Sequence, residues 1–191
     1  MSLLTSSYLK GVYNNNVVSL NENLRTRSYS ADVSSKFDIF LSHSYLDRDE
    51  VLGLYKELTN RGFSVYVDWI VDPQLDRNNV TKESAELIRA RLKASRTLLL
   101  AISHNASVSK WMPWELGYAD GNTGFCAIAP ISKDNLTRNS FSGVEYLSLY
   151  PYVNHQNDTS GKSQLWIEQS DGQYVILSSW VRNFLRPFKH Q

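Results

Sequence analysis

The chain has 191 residues, with 20 lysines and arginines against 19 aspartates and glutamates and a formal net charge of +1. That length suits one α/β domain with a good core plus a tail. The balanced charge lacks the electrostatic footprint of phosphate-backbone binding, so nucleic acid is not expected as a partner.

Residues 1–35 are rich in Ser and Asn, with scattered apolar residues at Leu3, Leu4, Tyr8 and Leu9, and are predicted to be a flexible or weakly helical extension. The domain is predicted at 36–191, with a core over 36–131 and a less regular part over 132–191. Phe37 to Leu41 is a short apolar run ended by Ser42-His43-Ser44, as expected of a buried strand entering a loop. Val51, Leu54, Tyr55 and Leu58 then fall at helical spacing, with Asp47 and Glu50 as a start signal of the capping-box kind and Gly62 as a stop. Phe63 to Val67 is the second strand, and Ala85, Ile88 and Leu92 mark a helix over 81–94. Thr97 to Ile102 is apolar on both faces, which belongs in the middle of a parallel sheet. A third helix runs from Trp111 to Gly121, followed by a fourth strand from Phe125 to Ile131. Tyr146 to Tyr152 is the predicted fifth strand. Leu165-Trp166-Ile167 and Tyr174 to Leu177 flank the turn Asp171-Gly172, and a last helix over 178–185 stops before Pro187. Alternating strands and helices predict an α/β fold, a parallel sheet with helices on both faces.

In a doubly wound sheet of order 2-1-3-4-5 the ligand crevice opens at the C-terminal ends of the first and third strands. Ser42, His43 and Ser44 follow the first, and Trp111-Met112-Pro113-Trp114-Glu115 follows the third. Trp111 and Glu115, four apart, share a helix face, and Pro113 fits only a first turn. On spacing alone the stronger reading is packing tryptophans with a solvated first-turn acid; position at the crevice turns the balance toward function. The connection from Asp68 to Val80 exceeds the usual roughly 2–6 residues and is predicted to act as a lid. Its acids lack the partners and spacing of a metal loop, and no metal is expected. His43 reads first as a hydrogen-bonded loop histidine. Ser160-Gly161-Lys162-Ser163 lacks the first glycine of a phosphate loop, no G-x-G-x-x-G follows a strand, Ser103 and His104 stand where a phosphoacceptor aspartate would, and there is no nucleophile elbow. Cys126 lies in an apolar run and reads as a small buried hydrophobe suited to a reducing cytosol. No stretch approaches the ~20 apolar residues of a membrane span, and Met1 to Ala31 lacks the pattern of an export signal. The expected location is cytoplasmic, with no membrane partner.

At Phe37 to Ser44, at Gly62 to Asp68, and at Trp111 with Glu115 as a W-x-x-x-E signature, the sequence resembles the Toll/interleukin-1 receptor (TIR) domain family. Asp68-Trp69 followed by Pro73, and the Trp111 to Gly117 segment, look most like prokaryotic defence-associated, Thoeris-like members. The resemblance implies a flavodoxin-like fold with sheet order 2-1-3-4-5, self-association through TIR domains, and cleavage of NAD, as substrate and not cofactor, into nicotinamide and ADP-ribose or a cyclic isomer. It implies a catalytic role for Glu115, with Trp111, Ser42, His43, Ser44, Asp68, Trp69 and Arg77 about the substrate. It further implies antiphage signalling, with a separate effector protein responding to the product. Two rival readings stand beside it: a non-catalytic interaction module on the same fold, and a nucleoside deoxyribosyltransferase-like enzyme, which would take free nucleosides.

Overall fold

A computed structural model describes residues 3–15, 35–75, 81–103, 109–132, 145–169 and 172–189. In chain order the elements are β1 (Leu4–Thr5), α1 (Ser6–Asn14), β2 (Phe37–Ser42), a 3-10 turn (Tyr45–Asp47), α2 (Arg48–Asn60), β3 (Val65–Tyr66), α3 (Asp68–Val71), α4 (Lys82–Lys93) and β4 (Ser95–Ile102). They continue with α5 (Trp111–Thr123), β5 (Cys126–Ser132), a 3-10 turn (Glu145–Leu149), β6 (Tyr152–Asn157), β7 (Ser163–Glu168), β8 (Tyr174–Ile176) and α6 (Leu177–Asn183).

The strands form one sheet of order β3-β2-β4-β5-β6-β7-β8, with β1 joined to β5. From β3 to β6 all pairings are parallel, and β7 and β8 add an antiparallel edge. The first five strands of the domain thus follow the expected 2-1-3-4-5 order. Leu98 to Ala101 on β4 and Ile39 to Leu41 on β2 are buried on both faces, which places these two strands inside the sheet. The chain steps one way from β2 to β3 and the other way from β3 to β4 and β5. Right-handed crossovers therefore put α2 on one face and α4 with α5 on the other; α1 packs on α2, and α4 on α5. Helix ends obey local chemistry: Thr81 and Ser84 form a capping box on α4, while Gly62 (φ 82°) and Gly124 (φ 62°) supply left-handed residues after α2 and α5.

Several expectations need correction. Residues 3–15, expected to be flexible or weakly helical, hold the helix α1 and are packed on the domain: Leu3, Leu4 and Leu9 are buried, and β1 pairs with the end of β5. Gly53 permits this close approach, because a Cβ there would stand 2.0 Å from the Leu9 carbonyl oxygen. Asp47 makes no side-chain capping bond on α2, and Glu50 accepts from Ser6 Oγ at 2.6 Å and pairs with Lys10 at 3.0 Å. The third helix passes Gly121 and ends at Thr123, since the left-handed residue is Gly124. The fifth strand is not 146–152: Tyr146 and Leu149 are exposed in a 3-10 turn, and pairing begins after Pro151 at Tyr152. Its polar run Asn154-His155-Gln156-Asn157 hid it from an apolar pattern, although Asn154 is fully buried and donates its amide to Glu168. The β6–β7 turn is the polar turn expected at 160–163, where the Asp158 carboxylate accepts from Ser160 N and Lys162 N at 2.9 and 3.0 Å. Among the described residues no helix is long and apolar enough to cross a membrane.

Candidate active site

The C-terminal end of β2 delivers Ser42, and α5 delivers Glu115 to meet it. Side chains on a helix lean toward its N-terminus, so a glutamate one turn into α5 points back at the strand ends. Ser42 Oγ donates to Glu115 Oε2 at 2.5 Å, and neither residue has exposed surface. Glu115 is therefore not a solvated first-turn acid: it lies in the second turn, completely buried. Placing a carboxylate there opposes stability by several kcal/mol unless its charge is balanced, on the order of what an ion loses on leaving water. A packing role has no use for that penalty. Trp111 opens the same helix, half-buried, and its ring meets Trp114 edge to face at 5.5 Å.

The next residues of the crevice loop turn inward as well. His43 is buried, with Nδ1 at 2.9 Å from the Leu41 carbonyl oxygen. A carbonyl only accepts, so Nδ1 carries the proton and Nε2 is left to accept the Trp69 indole N–H at 2.8 Å. Both ring nitrogens are engaged with the imidazole neutral. The Asp68 carboxylate, 3.4 Å from Nε2, is consequently a neighbour and not an ion-pair partner. His43 is the hydrogen-bonded loop histidine its position suggested, and its work is to fasten Trp69 to β2. Ser44 is buried and its hydroxyl accepts the Leu46 N–H at 3.4 Å, starting the turn that leads into α2.

Of the residues singled out in sequence, the fold thus brings together Ser42, His43, Ser44, Asp68, Trp69 and Glu115, with Trp111 one turn above Glu115. Arg77 lies outside the described residues. The contact between Ser103 and Asp47 escaped sequence reasoning: Ser103 Oγ, just beyond β4, donates to the buried Asp47 carboxylate at 2.5 Å and ties the turn after β2 to the end of β4. They are 56 positions apart, and no local pattern links them.

The proposed lid begins as a wall. Ile70, Val71 and Asp72 are buried, and Asp72 takes both Nε and Nη2 of Arg91 at 2.8 Å. The Tyr66 hydroxyl adds a third bond to Asp72 at 2.9 Å; burial first, then the Asp72 and Asp68 charges, hold that phenol well above its ordinary pKa, so it donates. Residues 68–72 are bound to α4 and do not swing freely. No group of three His, Cys, Asp or Glu able to hold a metal occurs among the described residues.

The TIR domain family model matches residues 39–165, from within β2 into β7. The chain belongs to the TIR domain family. It is 44% identical over 163 residues, 84% of each chain, to a protein of Bacillus cereus (strain MSX-D12) named "Probable 3' cyclic ADP-D-ribose synthase ThsB'". It is 31% identical over 108 residues, 54% of this chain and 28% of the relative, to a Cytobacillus dafuensis protein named "Putative cyclic ADP-D-ribose synthase TIR2". The crystal structure of the TIR domain of a Toll-related receptor from Hydra magnipapillata aligns with TM-score 0.41 and 20% identity over 58% of this chain and 77% of that one. Within this TIR domain the matched span holds the whole constellation of Ser42, His43, Asp68, Trp69, Trp111 and Glu115, whereas α1 and β8 fall outside it.

Proposed function

We propose that this TIR domain cleaves the nicotinamide–ribose bond of NAD and closes the remaining ADP-ribose into a cyclic isomer. The observation that carries the reading is the buried Glu115 carboxylate, held by Ser42 at the crevice of a chain 44% identical to a named cyclic ADP-ribose synthase. Nicotinamide leaves as a neutral molecule, taking the electron pair of the C–N bond, so the enzyme's task is to stabilise the positive ribose that remains. Glu115 supplies the opposing charge, and Trp111 presents an aromatic wall to the departing pyridinium. The ribose cation is then captured by a hydroxyl of the adenosine half, whose proton passes to Glu115 and from there to solvent. Capture by water would give linear ADP-ribose instead.

We further propose that the domain works as a self-associated assembly inside a bacterial cell, in antiphage signalling, with a separate effector protein that binds the product. The test is to incubate wild type and Glu115→Gln with NAD and identify products by mass spectrometry. Wild type is expected to release nicotinamide with a cyclic ADP-ribose isomer. Loss of an electrostatic catalyst lowers turnover by roughly two to three orders of magnitude in the variant. A folded Glu115→Gln protein with wild-type turnover would sink the assignment, and linear ADP-ribose as the sole product would reduce it to a glycohydrolase.

A further inference from the structure

NAD brings to the crevice a pyrophosphate with two negative charges, yet the carboxylates of Asp47, Asp68 and Glu115 are all buried in its walls. Their field opposes an anion, so a cation has to offset it. Resting on the NAD-cleaving reading above, we propose that Arg48 is the residue that grips the substrate's pyrophosphate.

Arg48 is the first residue of α2, reached directly from Ser42-His43-Ser44 through the 3-10 turn. Its guanidinium carbon lies 4.5 Å above the centre of the Trp69 ring. That ring is fixed by its N–H on His43 at 2.8 Å, and His43 is fixed on the Leu41 carbonyl at 2.9 Å. The cation is therefore aimed by a relay that starts on strand β2, beside the serine that holds Glu115. Stacking uses one face of the guanidinium and leaves its edge, where the N–H groups lie, open to a phosphate.

Other described arginines are occupied or lie elsewhere: Arg89, whose guanidinium carbon is 6.0 Å from the centre of the Trp114 ring, stands on α4 and not on the loop that follows β2. Arg91 is held by Asp72, Arg61 by Glu57, and Arg96 by the carbonyls of Val181 and Arg182. Arg48 is exposed, and its hydrogen bond among the described residues is a long one to the Tyr45 hydroxyl, at 3.4 Å. Nor does its position serve the helix, because a cation in the first turn opposes the macrodipole. An exposed guanidinium, stacked and steered but given no carboxylate among the described residues, is arranged for an anion that arrives.

The experiment is steady-state kinetics of the full chain with NAD at low and high salt, for wild type, Arg48→Gln and Arg48→Lys, with thermal melting of each. Loss of a charge-assisted contact should raise KM for Arg48→Gln by roughly ten- to a hundredfold, with kcat changed by no more than about twofold and the melting temperature kept. Wild-type KM should rise with salt, the Arg48→Gln value should be nearly flat, and Arg48→Lys should retain the salt dependence with a smaller loss of affinity. An unchanged KM in Arg48→Gln, or a fall in kcat that follows a fall in melting temperature in both variants, overturns the assignment. If wild type releases no nicotinamide at all, the NAD reading itself fails, which is a different result from an active wild type indifferent to Arg48.

Discussion

The Asp72–Arg91 pair is where stability and site meet, and Asp72→Asn separates their contributions. Both side chains are almost wholly buried, at 3% and 1% exposure, and are joined by two bonds of 2.8 Å in the bidentate geometry that suits a guanidinium. Asparagine keeps the shape and one acceptor oxygen but removes the charge, leaving the Arg91 cation buried without its counter-ion. Breaking a buried pair from one side costs about 3–5 kcal/mol. The retained acceptor points to the lower end, about 3 kcal/mol, a large share of the roughly 5–15 kcal/mol total for a domain. At this chain length that is a drop in Tm of about 6–12 °C. Urea denaturation followed by tryptophan fluorescence measures it, and a buried pair should show the same loss at low and high salt. The triple variant Tyr66→Phe, Asp72→Leu, Arg91→Met, which removes the charges and the hydroxyl together, should recover most of the deficit. A loss below about 1 kcal/mol for Asp72→Asn, or one that vanishes in salt, would show that the pair is solvated and that α3 is not anchored by it.

Three further outcomes are expected. Ser42→Ala removes the hydroxyl bonded to Glu115 and should lower kcat for nicotinamide release roughly ten- to a hundredfold; full turnover in a well-folded variant would mean that the bond does not position the carboxylate. Gly53→Ala gains about 1 kcal/mol of helix propensity yet forces a Cβ to 2.0 Å from the Leu9 carbonyl oxygen, so it should give a net loss of about 1–3 kcal/mol with faster hydrogen exchange in α1, and net stabilisation would contradict the packing. Burial, with Arg61 adding to it and Glu57 opposing, holds His155 below its ordinary 6.5; the unfolded chain therefore takes up the proton first, and stability should fall as pH drops below about 6.5 toward the folded value. Urea midpoints from pH 8 to pH 5 should fall more steeply for wild type than for His155→Gln, and parallel curves would refute the shift.

What was legible in sequence is what depends on near neighbours. The buried runs Ile39 to Leu41 on β2 and Leu98 to Ala101 on β4 declared themselves because a stretch covered on both faces is apolar at successive residues, and from them came the place of the crevice. Trp111 and Glu115 were legible as a pair through helical spacing. That Glu115 is entirely buried was not legible, since burial is decided by what packs over a side chain, and here the partner is Ser42, 73 positions away. The same holds for Trp69 on His43, 26 positions apart, and for Asp47 under Ser103. β6 was missed for a different reason: its polar letters are satisfied by a ladder and by Glu168, so the strand needs no apolar alternation. The N-terminal helix depends on a glycine in another helix, which no reading of residues 1–15 reveals.

Anchoring of α3 also decides how the site can work. Asp68 and Trp69 belong to the crevice, and four residues after Asp68 the chain is tied to α4 by Arg91. If α3 were the gate through which NAD enters, loosening it in Asp72→Asn would admit substrate more easily and raise turnover even as stability fell. If it is a wall, loosening it displaces Trp69, and with Trp69 both the His43 contact and the platform beneath Arg48. Turnover at low NAD concentration then falls, while kcat at saturation changes less, because Glu115 is held by Ser42 from β2 and does not depend on α3. The double attachment of this segment, to β2 through His43 and to α4 through Arg91, favours the wall, for a gate fastened on both sides has nowhere to move. On that reasoning Asp72→Asn should raise KM for NAD several-fold with kcat nearly retained, and an increase in turnover at low NAD concentration would assign α3 to the gate instead.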